Sequence, residues 1–157
     1  MPEIGNQHAV VIGCGIAGIA AAAALRPHFR TITIVEKDQL SEATEARQGV
    51  AQGAQLHNLL TPAQLHLEIL LPGFTAELIK AGAVQVHVSS QTNVYELQRW
   101  LPKRDLGLQV ICAARPVIEL ASRRLCLQAP HIRLLDNTVV HGLLMTDAAR
   151  VEGVADR

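Results

Sequence analysis

The sequence predicts an α/β fold opening on a parallel strand, helix, strand unit, and three features of its first 36 residues carry that prediction. His8 to Ile12 is a short run rich in β-branched residues that ends at a glycine, the pattern of a buried central strand. Gly13-Cys14-Gly15-Ile16-Ala17-Gly18 follows at once. It leads into an alanine-rich stretch to Leu25 that favours helix, which Arg26-Pro27 closes because the residue before proline is pushed out of helical geometry. Thr31 to Val35 then supplies a second β-branched strand ending at Glu36, completing the unit in about 30 residues.

The next segment changes character. Asp38 to Leu60 holds no sustained period of 2 or 3.6 and is expected to be a long irregular connection, which in a compact domain is often functional. Thr61-Pro62 predicts a helix start, with Thr61 as N-cap and Gln64 completing a capping box, and Pro72-Gly73 ends that helix. A second helix is expected from Thr75 to Ala81, stopped by Gly82. Val84 to Val88 and Asn93 to Leu97 alternate as strands and are expected to pair as a hairpin through Ser89-Ser90-Gln91. Leu108 to Cys112 reads as a strand, Pro116 to Leu127 as a helix with an apolar stripe, and Ile132 to Leu135 as a short strand. Thr138 to Met145 and the residues from Val151 onward are expected to form a meander joined by a turn at 147–150.

Composition narrows the class. Of 157 residues 49% are apolar and 18% charged, and fourteen basic side chains cancel fourteen acidic ones, so the basic footprint of a nucleic-acid binder is missing. Phe29, Phe74, Tyr95 and Trp100 are too few and too scattered to make a base-stacking platform. Cys14, Cys112 and Cys126 match neither a zinc pattern nor a disulfide framework, which fits a reducing, cytoplasmic setting. Residues 2 to 8 lack the layout of a signal peptide, and the longest apolar stretch is broken at Arg26, so no membrane span is expected. His66, His87, His131 and His141 have no metal-ligand spacing, and no metal is expected.

The glycine loop carries the chemistry. A dinucleotide's pyrophosphate needs backbone N–H donors, a helix N-terminus aimed at it and no side chain in the way. Gly13 is placed for the tight turn, Gly15 for close approach of the phosphates and Gly18 for close packing of helix on sheet. Glu36 is placed to accept hydrogen bonds from a ribose hydroxyl, and its charge would repel a 2′-phosphate. Cys14 needs only to be small, and a redox role for its thiol is the weaker alternative. An NAD domain would continue by alternating helix and parallel strand, whereas the antiparallel insertion expected after Glu36 favours FAD.

Arg47-Gln48-Gly49-Val50-Ala51-Gln52-Gly53, Gln55-Leu56-His57-Asn58-Leu59-Leu60, Leu71-Pro72-Gly73-Phe74, Arg115-Pro116 and Asn137-Thr138-Val139-Val140-His141-Gly142-Leu143 add to the glycine loop and to Thr33-Ile34-Val35-Glu36-Lys37. Together they resemble the N-terminal FAD-binding part of FAD-dependent monooxygenases, the single-component aromatic hydroxylases and their squalene-epoxidase-like relatives. That resemblance implies a Rossmann-like FAD-binding domain over residues 1–157 with an inserted antiparallel hairpin or meander. It also implies an FAD reduced by NAD(P)H that uses oxygen to oxygenate a small organic substrate, with the flavin carrying the chemistry. By matched position Gly13, Gly15, Ile16, Ala17 and Gly18 would line the pyrophosphate, Glu36 and Lys37 would lie at the adenosine ribose, and Arg47 would lie along the cofactor. Arg115 would contact it from the start of its helix, and Val140 would offer backbone atoms near the adenine. Gln55 and His57 are weaker candidates beside the flavin, since either could simply satisfy loop backbone groups.

The resemblance also implies that these residues form an incomplete domain. Family members carry a later Asp-Gly and a Gly-Asp segment, and a substrate sheet, that the 157 residues do not contain. A truncated domain is therefore expected, with an open edge at the last strand available for self-association and little hydroxylation by this chain by itself. A non-catalytic dinucleotide-binding module and an NAD-dependent oxidoreductase remain the alternatives at this point.

Overall fold

The computed structural model describes residues 8–47, 50–147 and 150–156. Its opening unit has the expected bounds: β1 (His8–Ile12), α1 (Ile16–Leu25) and β2 (Thr31–Val35). An irregular run follows, then β3 (Leu56–Leu60), α2 (Thr61–Leu70), α3 (Phe74–Lys80), β4 (Val84–His87) and a single helical turn, α4 (Val88–Gln91). Two short strands, β5 (Tyr95–Glu96) and β6 (Arg99–Trp100), precede β7 (Gln109–Ala114) and α5 (Arg115–Cys126). The chain continues through β8 (Ile132–Leu135), β9 (Val140–Met145) and β10 (Val151–Asp156).

β1, β2 and β8 form a parallel sheet in that order, with Val10 opposite Thr33 and Ile34 opposite Leu134. Ile32 and Ile34 are fully buried, and each stabilises the sheet by about 2–3 kcal/mol through its burial. α1 packs on this sheet and against α5, where Ile19, Ala22 and Ala23 meet Ile118, Ala121 and Cys126 in one apolar cluster. The cluster runs on through Leu67, Leu71, Phe74 and Leu78 of the α2–α3 pair to Ile111 of β7, joining the parallel sheet to a second, antiparallel one.

That second sheet corrects two expectations. Leu56–Leu60 is not irregular: it is a strand, paired antiparallel to β7 with Asn58 opposite Cys112. It carries no β-branched residue, and its partner lies some 50 residues downstream, so neither propensity nor local pairing announces it. Val84–His87 pairs with the other edge of β7, not with residues 93–97. The expected polar turn is the helical turn α4, where the Gln91 side chain accepts the His87 N–H at 2.7 Å. The hairpin forms further on, between β5 and β6. Leu97 and Gln98 make its turn at φ 50° and 60°, and Tyr95 packs edge-on against Trp100 at 5.1 Å.

The start of α2 is a third correction. Leu60 is its N-cap because β3 runs straight into the helix, which makes Thr61 the first helical residue and removes the capping box. Thr61 donates its hydroxyl to the Gln109 carbonyl at 3.0 Å, and Gln64 donates to the Leu59 carbonyl at 2.6 Å. Capping at α3 comes from a neighbour. Glu68, on α2, accepts the N–H groups of Gly73 at 2.6 Å and Thr75 at 2.9 Å.

β9 and β10 pair antiparallel as the meander predicts, with Leu143 opposite Val154. Ala148 and Ala149 of the expected turn lie outside the described residues, as do residues 1–7, Gln48, Gly49 and Arg157. Among the described residues β9 and β10 pair only with each other, and no helix is long and apolar enough to cross a membrane.

Candidate functional site: the glycine loop and its arginine pair

The site gathers where β1 hands over to α1, beside the end of β2. Gly13 takes φ +98°, a conformation that a side chain strains, and its N–H donates to the Val35 carbonyl at 2.7 Å. Gly15 is the N-cap of α1 in extended geometry, with its carbonyl accepting the Ile19 N–H at 3.0 Å. Gly18 faces the loop itself: a Cβ built there would lie 1.9 Å from the Gly13 carbonyl oxygen. At Gly13 and Gly15, by contrast, a Cβ would meet nothing within 4 Å. Open space above the loop and forced closeness below it are what a phosphate cradle requires, and Ile16 and Ala17 open α1 with their N–H groups in its first turn.

Glu36 is brought to this loop as the βαβ reading expects, but it is not a free carboxylate. It is only 6% exposed. One oxygen accepts the Cys14 N–H at 2.7 Å and the other accepts the Asp38 N–H at 3.1 Å, so the glycine loop and the carboxylate hold each other in place. The segment after β8 buttresses them, with Thr138 N–H donating to the Glu36 carbonyl at 2.9 Å and Asn137 N–H to the Asp38 carbonyl at 3.2 Å. Val140 opens β9 two residues beyond this zipper. Lys37 is exposed and pairs with Asp38 at 2.6 Å.

Arg47 and Arg115, far apart in sequence, converge on one residue that sequence reasoning missed. Glu119, on α5, accepts from Arg47 Nη2 with one oxygen and from Arg115 Nε with the other, both at 2.8 Å. Arg47 Nη1 is also 3.4 Å from Glu36 and 3.6 Å from Asp38. Burial pulls the Arg47 pKa down, but the Glu119 and Glu36 carboxylates outweigh it and hold the guanidinium above its ordinary value. Glu119 stands one helical turn from Arg115, an i,i+4 spacing that was available as a signal. Arg123, further along α5, donates to the Ser41 carbonyl and so pins the irregular run to the helix. A cleft of about 420 Å³ opens between that run and α5, lined by Lys37, Asp38, Arg47, Pro116, Glu119 and Arg123.

Gln55 and His57 stand at the base of α5. The Gln55 carbonyl accepts the Arg115 N–H at 3.3 Å, and His57 lies 3.1 Å from the same carbonyl through Nδ1, so both join the loop backbone to the helix start. Cys14 is buried, and that burial pushes its thiol up to about 12, which disfavours the thiolate that a redox role would need.

Comparisons with known proteins give the family and the fold. Protein Rv3254 of Mycobacterium tuberculosis (strain ATCC 25618 / H37Rv) is 29% identical over 161 residues, covering 97% of this chain and 33% of that protein. The chain therefore spans about a third of the length of the curated relative it matches. Among solved structures, pqsL, described as a probable FAD-dependent monooxygenase from Pseudomonas aeruginosa, matches with a TM-score of 0.66 at 18% identity. It covers 95% of this chain and 38% of its own. A 2-methyl-3-hydroxypyridine-5-carboxylic acid oxygenase matches with a TM-score of 0.62 at 20% identity over 95% of this chain and 38% of its own. Both likenesses show the Rossmann-like fold. A family model described as FAD dependent oxidoreductase matches residues 8–155, and the chain belongs to that family.

Proposed function

We propose that residues 1–157 act as the FAD-binding domain of a flavin-dependent monooxygenase that uses NAD(P)H and oxygen to oxygenate a small organic substrate in the cytoplasm. The observation that carries the reading is the glycine loop: open space at Gly13 and Gly15 above a Gly18 that tolerates no side chain, beside a buried carboxylate. Antiparallel strands after Glu36, where an ordinary NAD domain would continue in parallel, support FAD over NAD.

When bound, FAD would supply the electron and oxygen chemistry, and the protein's part is to hold and orient it. The N–H groups at Gly15, Ile16 and Ala17 take the pyrophosphate at the positive end of α1, with Gly13 and Gly18 setting the loop's shape. Glu36 accepts from the adenosine ribose with Lys37 beside it, Val140 backs the adenine, and Arg47 and Arg115 face the phosphates, where a guanidinium makes paired hydrogen bonds that a lysine cannot. Three carboxylates, Glu36, Asp38 and Glu119, gather on this side and disfavour a 2′-phosphate. The open pair β9–β10 is the proposed surface for self-association.

Protein incubated with FAD and desalted is expected to keep a flavin absorbance that Glu36→Ala loses. Retention of the flavin by Glu36→Ala at wild-type level would remove Glu36 from the site. NADPH or NADH oxidation with oxygen uptake tests the electron donor.

A further inference from the structure

Arg47 has two competing homes. Its Nη2 makes a hydrogen bond of 2.8 Å to Glu119, within the range of a charge-assisted bond, while its Nη1 stands 3.4 Å from Glu36 and 3.6 Å from Asp38. Its Nε is buried and has no hydrogen-bond partner among the described residues. The guanidinium thus leans toward Glu119 and away from the ribose acceptor. A movement of about 0.6 Å, the difference between those two separations, would bring it into full contact with Glu36.

The lone pairs of Glu36 make that movement consequential. A carboxylate offers about four acceptor positions, and the N–H groups of Cys14 and Asp38 already take two. A closely seated Arg47 would cover much of what is left. Glu119 is 6% exposed and each of its oxygens accepts from an arginine, so what it offers this site is the clasp on those two side chains.

Resting on the proposed FAD site, we infer that Glu119 is its positioning residue: by drawing Arg47 off Glu36 and fixing Arg115 in the same clasp, it keeps the ribose acceptor open and aims both guanidiniums at the phosphates. An amide at 119 keeps the shape and removes the charge that holds Arg47. The guanidinium, a half-buried cation, then re-pairs with Glu36 and Asp38.

Two probes separate this role from a structural one: FAD, which uses ribose and phosphate contacts, and adenosine, which uses the ribose contact without any phosphate. FAD is titrated by flavin fluorescence and adenosine by NMR shifts. Glu119→Gln is expected to weaken FAD about tenfold and adenosine also. Arg47→Gln is expected to weaken FAD but to bind adenosine at least as tightly as wild type, since Glu36 is released. Glu119→Gln placed on Arg47→Gln should leave adenosine unchanged.

Failure of wild type to bind FAD would overturn the proposed function. Wild type binding FAD while Glu119→Gln binds FAD and adenosine equally well would overturn only the role of Glu119. Should Glu119→Gln not fold, Arg47→Gln decides alone: weaker adenosine binding than wild type refutes the inference.

Discussion

Two glycines three residues apart are expected to respond to the same methyl group in opposite ways. At Gly18 an added Cβ meets the Gly13 carbonyl oxygen at 1.9 Å and the Gly13 carbonyl carbon at 3.0 Å. Ordinary contact needs about 3.4 Å, so α1 would have to retreat from the loop by about 1.5 Å. The loop cannot yield easily, because Gly13 N–H is held by the Val35 carbonyl at 2.7 Å. Overpacking against backbone costs about 3–4 kcal/mol here, and the better helix propensity of alanine returns about 1 kcal/mol, leaving a net loss of about 2–3 kcal/mol. For a chain of this size that lowers Tm by about 5–10 °C. At Gly15 the backbone is extended at φ −82°, ψ −179°, and a Cβ meets nothing, so Gly15→Ala should change Tm by less than about 2 °C. The methyl would instead stand in the cradle and weaken FAD about 10- to 100-fold by displacing charge-assisted N–H contacts. Thermal melts and flavin titrations of the two variants check both halves. A Gly18→Ala variant as stable as wild type, or a Gly15→Ala variant that binds FAD normally, would refute the geometric argument.

Other outcomes follow from the same structure. Glu68→Gln should cost up to about 1 kcal/mol at neutral pH, reduced by solvent screening, because it weakens the cap on α3. The Thr75 and Gly73 N–H groups lower the Glu68 pKa, so its contribution is complete above its ordinary value of 4.5 and lost as pH falls through the folded value; melts from neutral to acid pH should show wild type and Glu68→Gln converging. Burial holds Cys14 up at about 12 and Cys126 at about 11, so an alkylating reagent at pH 8 should label half-buried Cys112 first, and mass spectrometry finding Cys14 labelled as fast would contradict its placement.

What could be read in the sequence was what neighbouring residues decide together. β1, the glycine loop, α1 and β2 are contiguous, and their strand, turn and helix signals agree, so their bounds and the approach of Glu36 to the loop follow from about 30 residues. The existence of β3 and the pairing of β4, itself expected as a strand, were not legible because each depends on β7, reached only after intervening helices and a hairpin. Ser89-Ser90-Gln91 was expected as a hairpin turn, and the bond from His87 N–H to the Gln91 side chain goes instead with the helical turn α4. Within the site, Arg47 and Arg115 were singled out separately, but their meeting on Glu119 is tertiary, and Glu119 was not singled out at all. The i,i+4 relation of Arg115 to Glu119 was legible, whereas the 72-residue reach from Arg47 to Glu119 was not.

The central claim is that this fold holds the ADP end of FAD at the loop from Gly13 to Gly18. An equilibrium titration of the purified protein with FAD, and in parallel with FMN, which lacks the adenosine half, tests it most directly. Saturable binding of FAD with at least tenfold weaker binding of FMN is the predicted result. Equal affinity for the two flavins, or no binding of FAD, would contradict it.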